Sequence, residues 1–316
     1  MTPENAAARE APRQLAPSGQ TPPRQPAPSP SGGGLGRGDA ARATAHVAAK
    51  LHALDDEIRQ GSGRVVTASD PEAVHDFRVS IRQLRTLLKL ARPLYSRLFA
   101  DAVRGSFAEI QRATGALRDE EALDETVASL SIEHAALAAW KKRRAARARA
   151  LRRAVVARVS SRDLAHAHEM LHAILILPIQ PKRECDLAAF AQRKVETALA
   201  EAERLSWKQT DDPAELHELR IACKRLRYTV EFFDEVLTEP LRALRKPAVK
   251  LQKVLGVVHD LDVALVVMKR QHGLPMTLRA RILRELSARR ANKLATFESL
   301  RTPAAPPELP NVAPNP

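Results

Sequence analysis

The chain is poor in the residues on which most other fold classes depend. Aromatic side chains make up only 3% of its 316 residues, too few to seal a sandwich or barrel interior or to offer the stacking platform that single-stranded nucleic acids use. Six of its 12 glycines fall before residue 39, which leaves little of the turn chemistry that short strands require and favours packed helices. The two cysteines, Cys185 and Cys223, supply neither a disulfide framework nor a metal spacing. No apolar run approaches the length of a membrane span, because Ala173 to Ile179 is short and broken by Pro178. A secretory hydrophobic centre is missing from the N-terminus, so a cytoplasmic address is expected. Acidic residues are outnumbered 37 to 51 by Lys and Arg, for a net charge of +14. An excess of that size points to a polyanionic partner, whether nucleic acid, polyphosphate or an anionic membrane.

What is present is organised around two related stretches. Asp70 to Ala91 reads DPEAVHDFRVSIRQLRTLLKLA, and Asp212 to Phe233, 142 positions later, reads DPAELHELRIACKRLRYTVEFF. Both start with Asp-Pro and place a His, an Arg, a Leu and an Arg at matching offsets, the mark of a duplicated unit. Asp70 and Asp212 can cap a helix while Pro71 and Pro213 take its first position. Glu215 completes a capping-box spacing with Asp212.

At 100° per residue, His75, Arg78, Arg82, Arg85 and Lys89 fall on one narrow stripe beside an apolar face of Val74, Phe77, Ile81, Leu84 and Leu88. In the second copy His217, Arg220, Lys224 and Arg227 repeat the stripe, and Leu216, Leu219, Cys223, Leu226 and Val230 repeat the face. Long basic stems can snorkel over a core with their heads in water. A row of like charges nevertheless repels itself by a few tenths of a kcal/mol, roughly, per i,i+4 pair. Its repetition at matching offsets favours an anion-binding role.

The remaining chain is read as helical. A Pro/Gly/Ser-rich tail (1–38) and a Pro-rich end (301–316) are expected to be disordered. A first helix is expected from Asp39 to Gln60, ended by Gly61-Ser62-Gly63. The first signature helix should run from Pro71 to Ala91 and stop at Pro93. A third should span Leu94 to Ala113, with Arg104 and Arg112 facing a groove. Gly115 reads as a terminator and Asp119 as a new N-cap or an arginine's partner, with one long segment from Glu120 to Val159. That segment carries no acid between Lys141 and Arg162, so it is a solvated face or a secondary polyanion anchor. His168 and His172, one turn apart beside His166, could grip a metal, but no Cys or Glu at an informative spacing completes the set.

Pro178 and Pro181 mark the junction between halves. A helix from Cys185 to Trp207 follows, then the second signature helix to about Leu237 and a third from Pro240 to Leu255. On the last, Lys246, Lys250 and Lys253 continue a basic stripe with Arg242. Gly256 and Asp260 mirror Gly115 and Asp119. A final helical stretch from Leu261 to Leu300 should break near Gly273 and Pro275.

VHDFRVSIRQLR and LHELRIACKRLRYTVEFF resemble the paired signature helices of the conserved-histidine α-helical domain, the CHAD family. TGALRDEEAL (Thr114 to Leu123) and LQKVLGVVHDLDV (Leu251 to Val263) are similar to that family's turn motif, and the resemblance extends from about residue 40 to about 298. It implies an all-α fold of two four-helix bundles related by a pseudo-twofold, here 39–165 and 184–300 of a domain spanning 39–300. It also implies a basic central groove that binds inorganic polyphosphate without catalysis, and association with polyphosphate granules. His75, Arg78, Arg82, Arg85, Lys89, Arg104, Arg112, His217, Arg220, Lys224, Arg227, Lys246, Lys250 and Lys253 are the residues expected to line it; no cofactor, metal or membrane is called for. Two other classes remain. A nucleic-acid-binding protein would account for the charge, although no groove-reading motif is present. A phosphatase or phosphoryl transferase could use His75 or His217, although no Walker-type loop or metal constellation supports it.

Overall fold

The computed structural model describes residues 43–67, 70, 72–176, 185–208 and 210–301. The expectations for both tails, for Pro71, and for the junction prolines Pro178 and Pro181 lie outside these residues. The described residues form an all-α fold without a β-strand.

Helix α1 (Ala43–Thr67) buries Val47, Leu51, Leu54, Ile58 and Val65, the spacing of one helical face. It does not stop at Gly61. A Cβ there would come within 3.4 Å of the Phe77 Cα, so the glycine permits close approach of the next helix rather than ending its own. That neighbour, α2 (Ala73–Leu90), has Glu72 at its N-cap. Asp70 still serves the helix start, because its Oδ1 accepts from the Glu72 backbone N–H at 2.8 Å. Arg64 of α1 binds the same carboxylate and, at 2.9 Å, Asp76.

α3 (Arg97–Ala113) and α4 (Gly115–Ala128) meet at a one-residue turn on Thr114. Gly115 therefore opens a helix instead of closing one, and Asp119 lies inside α4 rather than at its cap. The expected long segment from Glu120 is two helices. The chain turns at 129–134, where Ser131 adopts φ 53°, and His134 restarts it by accepting the Ala136 N–H at 3.1 Å on Nδ1. α5 (Ala135–Val159) and α6 (Arg162–Ile176) follow.

In the second half, Asp186 caps α7 (Leu187–Ser206) and Asp212 caps α8 (Pro213–Phe233). The Asp212 carboxylate accepts from the N–H groups of Ala214 and Glu215 at 2.9 and 3.1 Å, and Pro213 occupies the first turn. The capping box does not close. Glu215 binds Lys208 at 3.0 Å, while the Asp212 N–H donates to the Thr210 hydroxyl. A 3-10 turn (Asp234–Val236) and the short α9 (Glu239–Ala243) lead into α10 (Arg245–Lys269). α10 passes through Gly256 and Asp260 without interruption. Ala248, Leu255, Val258, Leu261, Ala264 and Met268 stay on its buried side throughout, and that burial outweighs the cost of about 1 kcal/mol for a mid-helix glycine. The break expected at Gly273 and Pro275 is present, before α11 (Met276–Arg301).

α1 packs on α2 and α7 on α8; α2 in turn meets α3, and α8 meets α10. The interior does not divide at the chain's midpoint. One apolar cluster draws on α1 through α8, the start of α10 and Phe297. A second joins Leu123 and Trp140 of α4 and α5 to Leu261, Met268, Ile282 and Leu286 of α10 and α11. Cys223 sits in the first cluster, and burial pushes its thiol up to about 12, so it behaves as a small apolar side chain.

The most deeply buried carboxylate among the described residues lies in the first half. Asp55 of α1, 1% exposed, binds Arg59 at 3.0 Å, His172 Nε2 at 3.0 Å and His168 Nδ1. Burial alone would raise the Asp55 carboxyl, but its bonds to His168 and Arg59 outweigh that and hold it below the usual range. His168 and His172 thus clasp α6 to α1 through a carboxylate, while His166 points to Glu169 at 3.8 Å.

Candidate functional site

α2 and α8 come together with their charged edges facing, and α3 and the start of α4 form the wall of a groove of about 840 Å³. Arg78, Arg82, Arg85 and Lys89 reach it from α2, Arg104 and Arg112 from α3, and His217, Arg220 and Lys224 from α8. Nine of the residues singled out in the sequence therefore converge from both halves. Five do not. His75 is exposed one turn beyond the groove's end. Arg227 is drawn aside by Glu231, at 2.9 Å on its own helix. Lys246, Lys250 and Lys253 lie on the solvent side of α10, because the buried side of that helix is committed to the core.

The groove cations differ in what already holds them. Arg78 donates to the Gln111 carbonyl and the Thr114 hydroxyl, both at 2.6 Å, so it fastens the α3–α4 turn. Arg85 binds the Gln111 side chain. These partners are neutral and leave both charges uncancelled. Arg112 is paired with Glu109 at 2.5 Å, and Arg104 lies 3.6 Å from Asp101. Arg82, Lys89 and Lys224 make no hydrogen bond or ion pair among the described residues. The Nε atoms of Arg85, Arg104 and Arg220 are buried without a hydrogen-bond partner there. A buried N–H without an acceptor is costly; Arg104 Nε has Asp101 at 3.6 Å, and the other two, on Arg85 and Arg220, fit an anion that accepts from each.

The field of the groove is legible in its acid–base chemistry. Burial first, and then the charges of Arg82, Arg220 and Arg227, push Lys224 down to about 7. Burial together with Arg104, Arg112 and Arg82 lowers Arg85, and burial with Arg225 and Arg104 lowers Lys89. His259 of α10, which the groove residue His217 touches, is lowered to about 4 by burial and by Arg220, His217 and Lys224. These shifts share one direction because burial, the largest cause in each, and the neighbouring cations both disfavour the charged form.

A family model of the CHAD domain matches residues 42–269. The chain belongs to the CHAD-domain family. Among solved structures, the CHAD domain from the plant Ricinus communis superposes with a TM-score of 0.67 at 24% identity, over 82% of this chain and 90% of that one. PptA from Streptomyces chartreusis gives 0.56 at 15% identity, over 83% and 97%. At such identities these likenesses concern the fold. No curated protein matches the chain significantly in sequence. The CHAD match ends at the close of α10, leaving α11 outside it.

Several groove residues of this CHAD domain escaped the reading of its sequence. Arg225, Tyr228, Gln111 and Thr86 also line it, and Asp119 brings in a carboxylate. Arg225 stands where the first copy has Gln83, and Gln83 faces a different cleft. His259, where the first half has Arg118, meets His217 with their Nδ1 atoms 3.2 Å apart. Both exchanges are visible when the copies are aligned; which side they face is not. Among the described residues no group of three or more His, Cys, Asp or Glu could hold a metal ion, and no helix is long and apolar enough to cross a membrane.

Proposed function

We propose that this protein binds inorganic polyphosphate in the groove between α2 and α8 as a capture surface, without breaking its bonds, and that this attachment brings it to polyphosphate granules. The observation that carries the reading is the convergence of cations from two distant stretches on one groove, with the buried Nε atoms of Arg85 and Arg220 left without a partner among the described residues. A phosphate polymer has the matching chemistry. It presents acceptor oxygens along its whole length, each i to i+4 step of a helix advances a charge by about 6 Å along it, and arginine forks grip such oxygens in pairs. It needs no aromatic platform, and Tyr228 is the one Phe, Tyr or Trp among the described residues that line the groove. Membership in the CHAD family supports the same ligand class.

The deciding experiment is a calorimetric titration of the full chain with polyphosphate at several salt concentrations, with duplex DNA as competitor. Saturable binding that weakens steeply with salt and is not displaced by DNA is the expected result. Preferential displacement by DNA would replace the reading with a nucleic-acid one. Release of orthophosphate from labelled polymer would replace it with catalysis.

A further inference from the structure

Of the helices among the described residues, α5 is the one with no acidic residue; it carries nine Lys and Arg. Four of the nine are paired by neighbouring helices or the next turn. Arg144 and Arg147 bind the buried Glu120 at 2.6 and 2.8 Å, Arg152 binds Glu121 at 2.7 Å, and Arg158 binds Asp163. Lys142, Arg149 and Arg153 are exposed and make no hydrogen bond or ion pair among the described residues. At steps of seven and four they fall within about 40° of one another on the helix and span roughly 16 Å of its length. The buried residues Leu137, Trp140, Val155 and Val159 occupy the opposite side.

We infer that this outer stripe of α5 is a second docking strip for polyphosphate, engaged by chains long enough to overrun the groove. The inference rests on the proposed function of the groove. α4 stands between the two sites, with Asp119 lining the groove while the adjacent Glu120 and Glu121 turn to α5. Two helix layers at 8–10 Å each put the strip roughly 20 Å from the groove, within reach of a flexible polymer but not of a short one. Ala145, Ala146, Ala150 and Ala154 are the exposed residues that accompany the three cations, so a phosphate chain meets charge without obstruction. Trp140 is buried, and no aromatic on this face can stack a base. A surface made only for solubility would mix signs, as α11 does with its Arg289–Glu285 and Arg301–Glu298 pairs. A second contact on an already tethered chain adds affinity through effective concentration rather than through intrinsic strength.

The test compares a polyphosphate just long enough to fill the groove with one several times longer, using the full chain and a Lys142→Gln, Arg149→Gln, Arg153→Gln variant. The expected result is unchanged affinity for the short polymer. For the long one the variant loses its affinity advantage, and the slope of log affinity against log salt falls by about 2, the release of three counterions at the single-strand coefficient. An unchanged long-chain slope overturns the strip. So does a variant that weakens duplex DNA binding while leaving long polyphosphate untouched, which would make α5 a nucleic-acid surface. A fourth arm, Arg82→Gln with Arg220→Gln, separates the two readings. If it leaves short-chain binding intact, the groove itself is wrong, whatever the strip does.

Discussion

α2 and α8 carry nearly the same pattern of side chains, yet they contribute to the groove in different ways. In α2 the arginines are steadied by neutral groups, Arg78 by Gln111 and Thr114 and Arg85 by Gln111, so their charges remain available. In α8 the position matching Lys89 is Glu231, and it removes Arg227 from the site by pairing with it and with Arg245. The part of each helix that faces the groove is also displaced. α2 uses Arg78 to Lys89, while α8 uses His217 to Tyr228, about one turn nearer its N-terminus when the copies are aligned. That displacement is why His217 is in the groove and His75 is out. The comparison teaches that a repeated motif fixes the kind of side chain offered to a site, whereas the neighbours of each copy decide which of them is spent on structure.

Removing one free cation from each helix tests the shared part of that comparison. Arg82→Gln with Arg220→Gln should weaken polyphosphate binding by roughly 3–6 kcal/mol, at about 1.5–3 for each charged hydrogen bond, or about two to four orders of magnitude in Kd. Far-UV circular dichroism should be unchanged. A loss of less than tenfold in calorimetry would mean that neither edge holds the ligand.

The next test concerns what lies behind the first copy. Aligned by their buried faces, with Val47, Leu51, Leu54 and Ile58 of α1 against Ala191, Val195, Ala198 and Ala202 of α7, the position matching Asp55 is Leu199, so the carboxylate that clasps α1 to α6 has no counterpart in α7. Asp55→Ala should lower unfolding stability by about 3 kcal/mol, since it strands His168 in the interior, read as a shift in the denaturant midpoint. The carboxyl is held below its ordinary range, so its contribution is present above the unfolded-state value and disappears as pH falls through the lowered one. Acid unfolding of the variant should accordingly show a weaker pH dependence in that window.

Arg78 and Arg220 occupy corresponding positions, and single substitutions should separate their roles. Arg78→Ala is expected to cost about 1–3 kcal/mol of stability, because the Thr114 turn loses its donor. Arg220→Ala should change the midpoint far less while still weakening ligand. Equal midpoint shifts would erase the distinction drawn between the copies.

The smallest effect is a proton linkage confined to α8. Lys224, lowered to about 7 by burial and its cationic neighbours, regains its proton more readily when an anion fills the groove. Affinity should therefore fall as pH rises above about 7, by at most about tenfold per unit, and level off below. Lys224→Arg, which stays charged, should flatten the profile. A profile unaltered by that change would assign the linkage elsewhere.

The helical class, the two signature helices and nine of the fourteen expected groove residues were legible because 3.6-residue periodicity and charge are local properties of the chain. Helix ends were less so. Gly61 and Gly256 look alike in sequence to terminators, but the first is a contact point for Phe77 and the second is carried by the buried face on either side of it. Arg227 and the Lys246–Lys253 stripe misled for a similar reason. A charge pattern says that a face is basic without saying what opposes it.

Taken alone, the amino-acid order determined that this chain makes amphipathic helices with cationic edges, and that two of those edges share the spacing of their side chains. Folding decided that α2 and α8 meet, and that Gln111 and Thr114 hold two arginines without quenching them. Those outcomes depend on residues far apart in the chain, whose proximity is set by the packing of buried faces and is therefore absent from any local pattern.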